Sequence, residues 1–229
     1  MSKLQQRLSQ VQAQIRRFAL SCDRDPTGVR LIAVSKTRPA SDIREVWKAG
    51  QKAFAENYLQ DALQKIPVLH DCDIEWHFIG RIQSNKTRPI AENFAWVHTL
   101  SSLKHGRRLS EQRPEGLPPI NICVQLNLTG EASKSGISAD ELAPLLEKLA
   151  DLPHLRLRGL MTMPPASATT AEQHEVFSRL HGLLTEMNRQ GHGLDSLSMG
   201  MSGDMQAAIC EGATMVRIGT AIFGPRTQQ

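Results

Sequence analysis

Short apolar runs alternate with amphipathic stretches along most of this 229-residue chain. The first element stands apart from that rhythm. Leu4, Leu8, Val11 and Ile15 recur at helical spacing, which predicts a helix over residues 1–20. Ser2 and Gln5 have the separation of a capping box. After the turn "DRDPTG" come eight runs of strand character: "LIAVS" (31–35), "AFAEN" (53–57), "EWHFIG" (75–80), "AWVHT" (95–99), "INICVQLN" (120–127), "LRLRGLM" (155–161), "DSLSMG" (195–200) and "TMVRIG" (214–219). The stretches between them keep their apolar residues on one face, as helices covering a sheet must. Ser138 with Glu141 predicts a helix cap before Leu142, Leu145 and Leu149, and Thr170 with Gln173 predicts another before Val176, Phe177 and Leu180.

Eight β–α units in one chain predict the α/β class and a closed (β/α)8 TIM barrel over residues 29–224. The whole chain, residues 1–229, then forms a single domain with an extra N-terminal helix. An open doubly wound sheet is the alternative, and its first βα turn would carry a glycine-rich fingerprint. Here that turn reads "SKTRPAS", without glycine. The second and seventh runs are short for strands.

Composition narrows the function. Charged residues make up 22% and hydrophobic ones 40%, which is ordinary for a globular protein. The net charge of +4 is spread out rather than gathered in a basic run, and aromatics are only 4%, so platforms for stacking nucleic-acid bases are scarce. The expectation is no nucleic acid and a mild preference for anionic ligands. No apolar run is long enough to span a bilayer and "MSKLQQRLSQ" has no apolar leader core, so no membrane and a cytoplasmic setting are expected. Cys22, Cys72, Cys123 and Cys210 are far apart in sequence and read as reduced thiols. They and the eight histidines show no metal-binding spacing, so no metal is placed.

In such a barrel the functional groups sit at the carboxyl ends of the strands, and phosphates are often held after the seventh and eighth. The runs end here in Ser35-Lys36, Glu56-Asn57, "HFIG" and Asn127. The seventh leads into "SMGMSGDM" and the eighth into "RIGTAIFG". Ser202 with Gly203, and Gly219 with Thr220, each precede a helical stretch. Either turn alone also reads as an ordinary capped helix start. Together, after strands seven and eight, they form a candidate phosphate cup. Arg217 shares a strand face with Gly219 by the two-residue period, and needs an acceptor such as Glu56 or a ligand atom.

Lys36 is the one lysine of nine that directly ends an apolar strand run. Desolvation and a neighbouring arginine would lower its pKa, and a neutral amine attacks carbonyls to form a Schiff base. An amine facing a phosphate cup suits a phosphorylated aldehyde or ketone. Pyridoxal phosphate fits, and a sugar-phosphate substrate of an aldolase has the same two features.

The stretches "LIAVSKTRPA", "FAENYLQ", "EWHFIGRIQSNK", "SKSGI", "RLRGLMTM", "SMGMSGDMQAAI" and "TMVRIGTAIFG" run from about residue 30 to residue 224. In this combination the sequence resembles the pyridoxal phosphate homeostasis protein family. The resemblance implies a fold type III barrel like the N-terminal domain of alanine racemase. It implies pyridoxal 5'-phosphate as cofactor, with Lys36 in aldimine linkage to it. Ser202, Gly203, Gly219 and Thr220 would hold the phosphate, Arg217 would lie near the pyridine end, and Asn57 and His77 would line the pocket. Lys134 in "SKSG" matches a family lysine of unassigned task. Lys86 and Lys134 are candidates for passing the cofactor on. Arg81 in "GRIQSNK" departs from the bulky apolar residue usual at that place.

The implied role is to hold, buffer or deliver pyridoxal phosphate in vitamin B6 homeostasis, with pyridoxal phosphate-dependent apoenzymes as recipients. Robust catalysis is not expected. An arginine at the pyridine nitrogen weakens the ring as an electron sink. Racemisation also needs acid–base groups on both faces of a substrate. In alanine racemase one of these is a tyrosine from a second, β-rich domain, and this chain's only tyrosine is Tyr58. The domain that builds the racemase dimer is missing, so a monomer is expected. A small amino-acid racemase and a Schiff-base aldolase are the alternatives.

Overall fold

The computed structural model describes residues 1–129 and 135–225. Eight parallel strands close into a barrel in sequence order: β1 (Arg30–Val34), β2 (Ala53–Glu56), β3 (Glu75–Phe78), β4 (Trp96–Leu100), β5 (Ile120–Gln125), β6 (Leu155–Met161), β7 (Ser196–Ser198) and β8 (Met215–Ile218). Closure is carried by β1. It pairs with β2 through Ala33–Phe54 and Val34–Ala55, and with β8 from Arg30–Met215 to Ala33–Ile218. Each strand-like run of the sequence forms a strand. The ladders stop one or two residues short of most runs, because the carboxyl-end residues leave the sheet to line the mouth.

Alternation sorts the side chains. Ile32, Val34, Ala53, Ala55, Trp96, Cys123, Met161 and Met215 fill the barrel interior. Their neighbours Ala33, Phe54, Val97, Ile122, Leu160 and Val216 face the helical layer. Gly159 has no room for a side chain, since a Cβ there would collide with the Ser196 backbone of β7.

The outer layer is α1 (Lys3–Ser21), α2 (Ala40–Lys48), α3 (Leu59–Lys65), α4 (Thr87–Asn93), α5 (Leu103–Glu111), α6 (Leu142–Ala150), α7 (Thr170–Arg189), α8 (Met205–Cys210) and α9 (Thr220–Phe223). The Ser2–Gln5 capping box forms in both directions, at 3.1 and 3.2 Å. From it α1 buries Leu8, Val11, Ile15 and Ala19 against α2, α8 and α9.

The other two caps differ from their expected form. The box on α7 is Thr169–Glu172, one residue earlier than Thr170–Gln173. Both pairs have the right spacing, but a carboxylate makes the stronger, charge-assisted bond to a backbone N–H and suits the positive helix start. Ser138 and Glu141 do bond, at 2.6 and 2.9 Å, on the turn ahead of α6 rather than within its first turn.

The cysteines also need correcting. The fold brings Cys22, which caps α1, against Cys210 at the end of α8, with Cα atoms 5.3 Å apart, and joins them as a disulfide. A separation of 188 residues leaves no trace of this in local spacing. Cys72 and Cys123 are buried free thiols. Among the described residues no helix is long and apolar enough to cross a membrane, and no group of side chains has the make-up of a metal site. Lys134 lies outside the described residues.

Candidate functional site

Strand β1 delivers Lys36 to the carboxyl end of the barrel. The residues on either side of it are fixed by one buried cation. Lys65 of α3 is only 5% exposed, and its Nζ donates to the Ser35 carbonyl (3.0 Å), Glu56 (2.9 Å) and Asp61 (2.7 Å). Asp61 also accepts the Thr37 backbone N–H at 2.9 Å, and Glu56 accepts the Ser35 hydroxyl at 2.7 Å. Thr37 stands at φ 61°, a left-handed conformation that costs a branched residue energy unless its surroundings enforce it. Burial pushes the Glu56 carboxyl up, while Lys65 and Ser35 oppose that shift.

A cavity of about 310 Å³ opens beside Lys36. Seven of the eight site residues expected from sequence line it: Lys36, Asn57, Ser202, Gly203, Arg217, Gly219 and Thr220. Ser202 and Gly203 lie in the turn before α8, and Gly219 caps α9, whose first residue is Thr220. The two turns are neighbours because β7 pairs with β8. Asp204 ties down the first turn by accepting the Met201 N–H.

The eighth residue, His77, does not line this cavity. It faces inward from β3 but one layer deeper, fully buried and stacked on Trp96 with ring centroids 5.5 Å apart. There it belongs to a chain of hydrogen bonds through the barrel interior. Arg217 Nη1 donates to Ser198 Oγ at 2.7 Å. Ser198 meets His98 Nδ1 at 2.6 Å, His98 Nε2 meets His77 Nδ1 at 2.8 Å, and His77 Nε2 meets Glu75 at 2.8 Å. Burial lowers the pKa of His77, and that of His98 further, so both are neutral at pH 7. One proton arrangement then satisfies every link. His77 donates to the Glu75 carboxylate, His98 donates to His77, Ser198 donates to His98, and Arg217 donates to Ser198.

Arg217 does point inward, as its two-residue offset from Met215 and Gly219 requires. Its partners are Ser198 and the Thr162 carbonyl (3.2 Å), whereas Glu56 is committed to Lys65 and Ser35. Burial pushes the guanidinium down to about 10, which leaves it a cation at neutral pH. Three of its five N–H donors remain for a ligand.

The donor set suits one kind of molecule. An amine, a hydroxyl-and-glycine cup and a buried guanidinium share a single cavity. They match the aldehyde, phosphate and pyridine nitrogen of pyridoxal phosphate.

The comparisons with known proteins agree with this geometry. The family described as alanine racemase, N-terminal domain, matches residues 7–227. The pyridoxal phosphate homeostasis protein of Pseudomonas aeruginosa is 56% identical over 226 residues, covering 99% of this chain and 97% of that protein. This chain belongs to the pyridoxal phosphate homeostasis protein family. The Escherichia coli K12 member of the family is 46% identical over 229 residues, with 99% and 98% covered. PipY of Synechococcus elongatus PCC7942, solved with PLP bound, superposes with a TM-score of 0.86 at 36% identity, covering 96% of this chain and 100% of that one. Alanine racemase from Bacillus anthracis shares the fold, with a TM-score of 0.73 at 18% identity, and this chain spans 56% of its length.

For this family member, sequence reasoning missed the residues that hold the site rather than those that face it. Asp61 and Lys65 carry a visible signal, an i,i+4 pair on α3, but such pairs are usually solvated. Ser198 and Thr162 carry none, since their partner Arg217 is 19 and 55 residues away. A larger cavity of about 630 Å³ adjoins the first and shares Asn57, Ile79 and Met163 with it. Gly80 lines the larger cavity and packs so close to the Asn57 carbonyl that a side chain there would collide with it.

Proposed function

We propose that this chain binds pyridoxal 5'-phosphate through Lys36 and serves to hold, buffer and deliver it. The observation that carries the reading is the meeting of Lys36, the Ser202–Thr220 cup and Arg217 in one 310 Å³ cavity. Pyridoxal phosphate, when bound, supplies an aldehyde that condenses reversibly with an amine, and a ring that withdraws electrons. Lys36 is the nucleophile and the anchor. Ser202 and Thr220, with the close backbone approach that Gly203 and Gly219 allow, take the phosphate. Arg217 has only donors to offer the pyridine nitrogen and keeps it unprotonated. Val34, Met161 and Ile79 are apolar parts of the cavity lining and would exclude water from the bound group.

The carrier reading rests on what stands beside Lys36. No histidine, tyrosine, cysteine or carboxylate lines the cavity among the described residues. A racemase needs proton-transfer groups on both faces, and Lys36 supplies one. Pyridoxal phosphate-dependent apoenzymes are the recipients in this reading, and the protein acts as a monomer in vitamin B6 homeostasis. A cytoplasmic setting goes with it.

The test is the visible absorption spectrum of the wild type and of Lys36→Ala after loading with pyridoxal phosphate and dialysis. A yellow band retained by the wild type alone is expected. A wild type that stays colourless would remove the cofactor reading, and robust turnover of an amino acid would replace carrier by enzyme.

A further inference from the structure

A carrier has to meet its recipient, and the mouth of this barrel has one strongly charged flank. Residues 81–108 contain six cations, Arg81, Lys86, Arg88, Lys104, Arg107 and Arg108, against one carboxylate, Glu92. That surplus of five exceeds the net charge of the whole chain, +4. The cations are scattered in sequence, and the fold collects them. Ser84 Oγ meets His105 Nε2 at 3.1 Å, and Arg108 Nε donates to Thr87 Oγ1 at 3.1 Å. These two bonds join the turn Ser84–Lys86 and the start of α4 to α5, so that Lys86, Arg88, Lys104 and Arg108 share one surface. Lys104 and Arg107 stand one turn apart on α5 and both are exposed, as are Arg81 and Arg88. Glu92 offsets only Arg88, at 4.0 Å and in solvent, where such a pair is worth little.

This face opens onto the mouth. Both α4 and α5 begin at the carboxyl end of the barrel, since each follows its strand. Arg81 and Lys86 also line the 630 Å³ cavity that adjoins the Lys36 cavity, and its described lining has no aspartate or glutamate. On the far side of α5 the charge reverses, where Asp140 and Glu141 border a hollow between α5 and α6. Burial lowers the His105 pKa, and the field of Lys104 and Arg108 lowers it further. Phe94 and Trp96, the aromatic residues of the segment, are buried, so the face offers no ring for a nucleic-acid base to stack on. Fixed positive charge without such rings suits the acidic surface of a folded protein.

We infer that the turn Ser84–Lys86, α4 and α5 form the docking face for a recipient apoenzyme that carries an acidic surface beside its own cofactor site. The inference rests on the carrier reading and names the partner of the same mouth. Release of the cofactor is hydrolysis of its bond to Lys36. One water supplies the aldehyde oxygen, its two hydrogens go to the departing amine, and no oxidant or reductant takes part. A recipient docked on this flank takes up the aldehyde before it reaches bulk water. Attraction between complementary faces speeds encounter by about 10–10³-fold at low salt and fades as salt screens it.

The experiment loads the full chain with pyridoxal phosphate and mixes it with a cofactor-free aminotransferase of net negative charge. Excess semicarbazide captures any cofactor that reaches bulk water, and recovery of aminotransferase activity is followed. Recovery from the wild type at low salt is expected. Lys104→Glu with Arg107→Glu should slow it about tenfold, and about 0.3 M sodium chloride should slow the wild type to a similar degree. Lys104→Gln with Arg107→Gln should fall between. A cofactor-free aminotransferase of net positive charge should recover faster from the double-Glu variant than from the wild type. The yellow band, and the rate at which semicarbazide alone removes it, should be the same in all three proteins, which separates docking from cofactor binding. A wild type that never turns yellow would remove the carrier reading, and this inference with it. A yellow wild type whose recovery is indifferent to salt and to both charge reversals would overturn the docking face alone. Retention on duplex DNA that the Glu substitutions abolish, with recovery unaffected, would overturn it too and assign the face to nucleic acid.

Discussion

Lys36 projects from a segment that a second lysine holds at both of its neighbours. Lys65 fixes Ser35 directly and Thr37 through Asp61. Removing its ammonium in Lys65→Met leaves the Glu56 carboxylate buried with the Ser35 hydroxyl as its remaining partner. The expected cost at neutral pH is about 3–5 kcal/mol, the range for breaking a buried ion pair from one side. The pH dependence follows from Glu56, whose folded pKa already lies above its ordinary value. A raised carboxyl stabilises the fold below its unfolded pKa, and that contribution is lost as pH rises through the folded value. Loss of Lys65 raises Glu56 further, so the penalty should be greatest near pH 7 and shrink as pH falls through the raised values toward the ordinary carboxyl range. Urea unfolding of both proteins across that range checks it, and a penalty that grows toward acid would contradict the assignment. Lys36 was legible because a lysine ending an apolar strand is conspicuous. Lys65 was not, because nothing in "LQDALQK" distinguishes a buried lysine from a solvated one.

Four strands are tied together by the chain Glu75, His77, His98, Ser198 and Arg217, which spans β3, β4, β7 and β8. Its stability sense is opposite to that of Glu56. Both histidines have folded pKa values below the ordinary 6.5, with burial as the main cause. Their contribution is present above pH 6.5 and is lost as pH falls toward the lowered values. The wild type should therefore lose stability between pH 7.5 and 5. His98→Leu should be less stable at pH 7.5 by about 2 kcal/mol, since His77 and Ser198 lose a partner. It should also show a shallower loss on acidification, which denaturation midpoints at several pH values would reveal. The strands in this chain were legible from alternation alone, even the three residues of β7, because β–α order leaves few topologies. The depth of His77 was not. Alternation says which face a side chain takes, but not which layer of the barrel it occupies. That depends on strand tilt and stagger, which no single strand encodes.

At the scale of the whole molecule, α1 joins the start of the chain to the helices that follow the phosphate turns. It packs against α8 and α9, and the Cys22–Cys210 disulfide fastens its end to α8. Helical spacing predicted α1 but gave no hint of this link, which exists only once the barrel has closed. The link spans 188 residues, and the chain-entropy account gives about 5 kcal/mol as its upper value for so long a loop. Cys22→Ser should therefore match the wild type within about 0.5 kcal/mol when both are reduced, because a hydroxyl replaces a half-buried thiol of similar size at little cost. Under an oxidant only the wild type should gain stability. Urea midpoints of the two proteins with and without reductant give four values that decide the matter. A gain on oxidation that survives Cys22→Ser would assign it to Cys72 or Cys123. No gain in either protein would mean that the pair does not constrain the unfolded chain. A gain confined to the wild type would tie the redox state of the surroundings to the rigidity of α8, and through it to the Ser202–Gly203 turn that the proposed cofactor's phosphate would occupy.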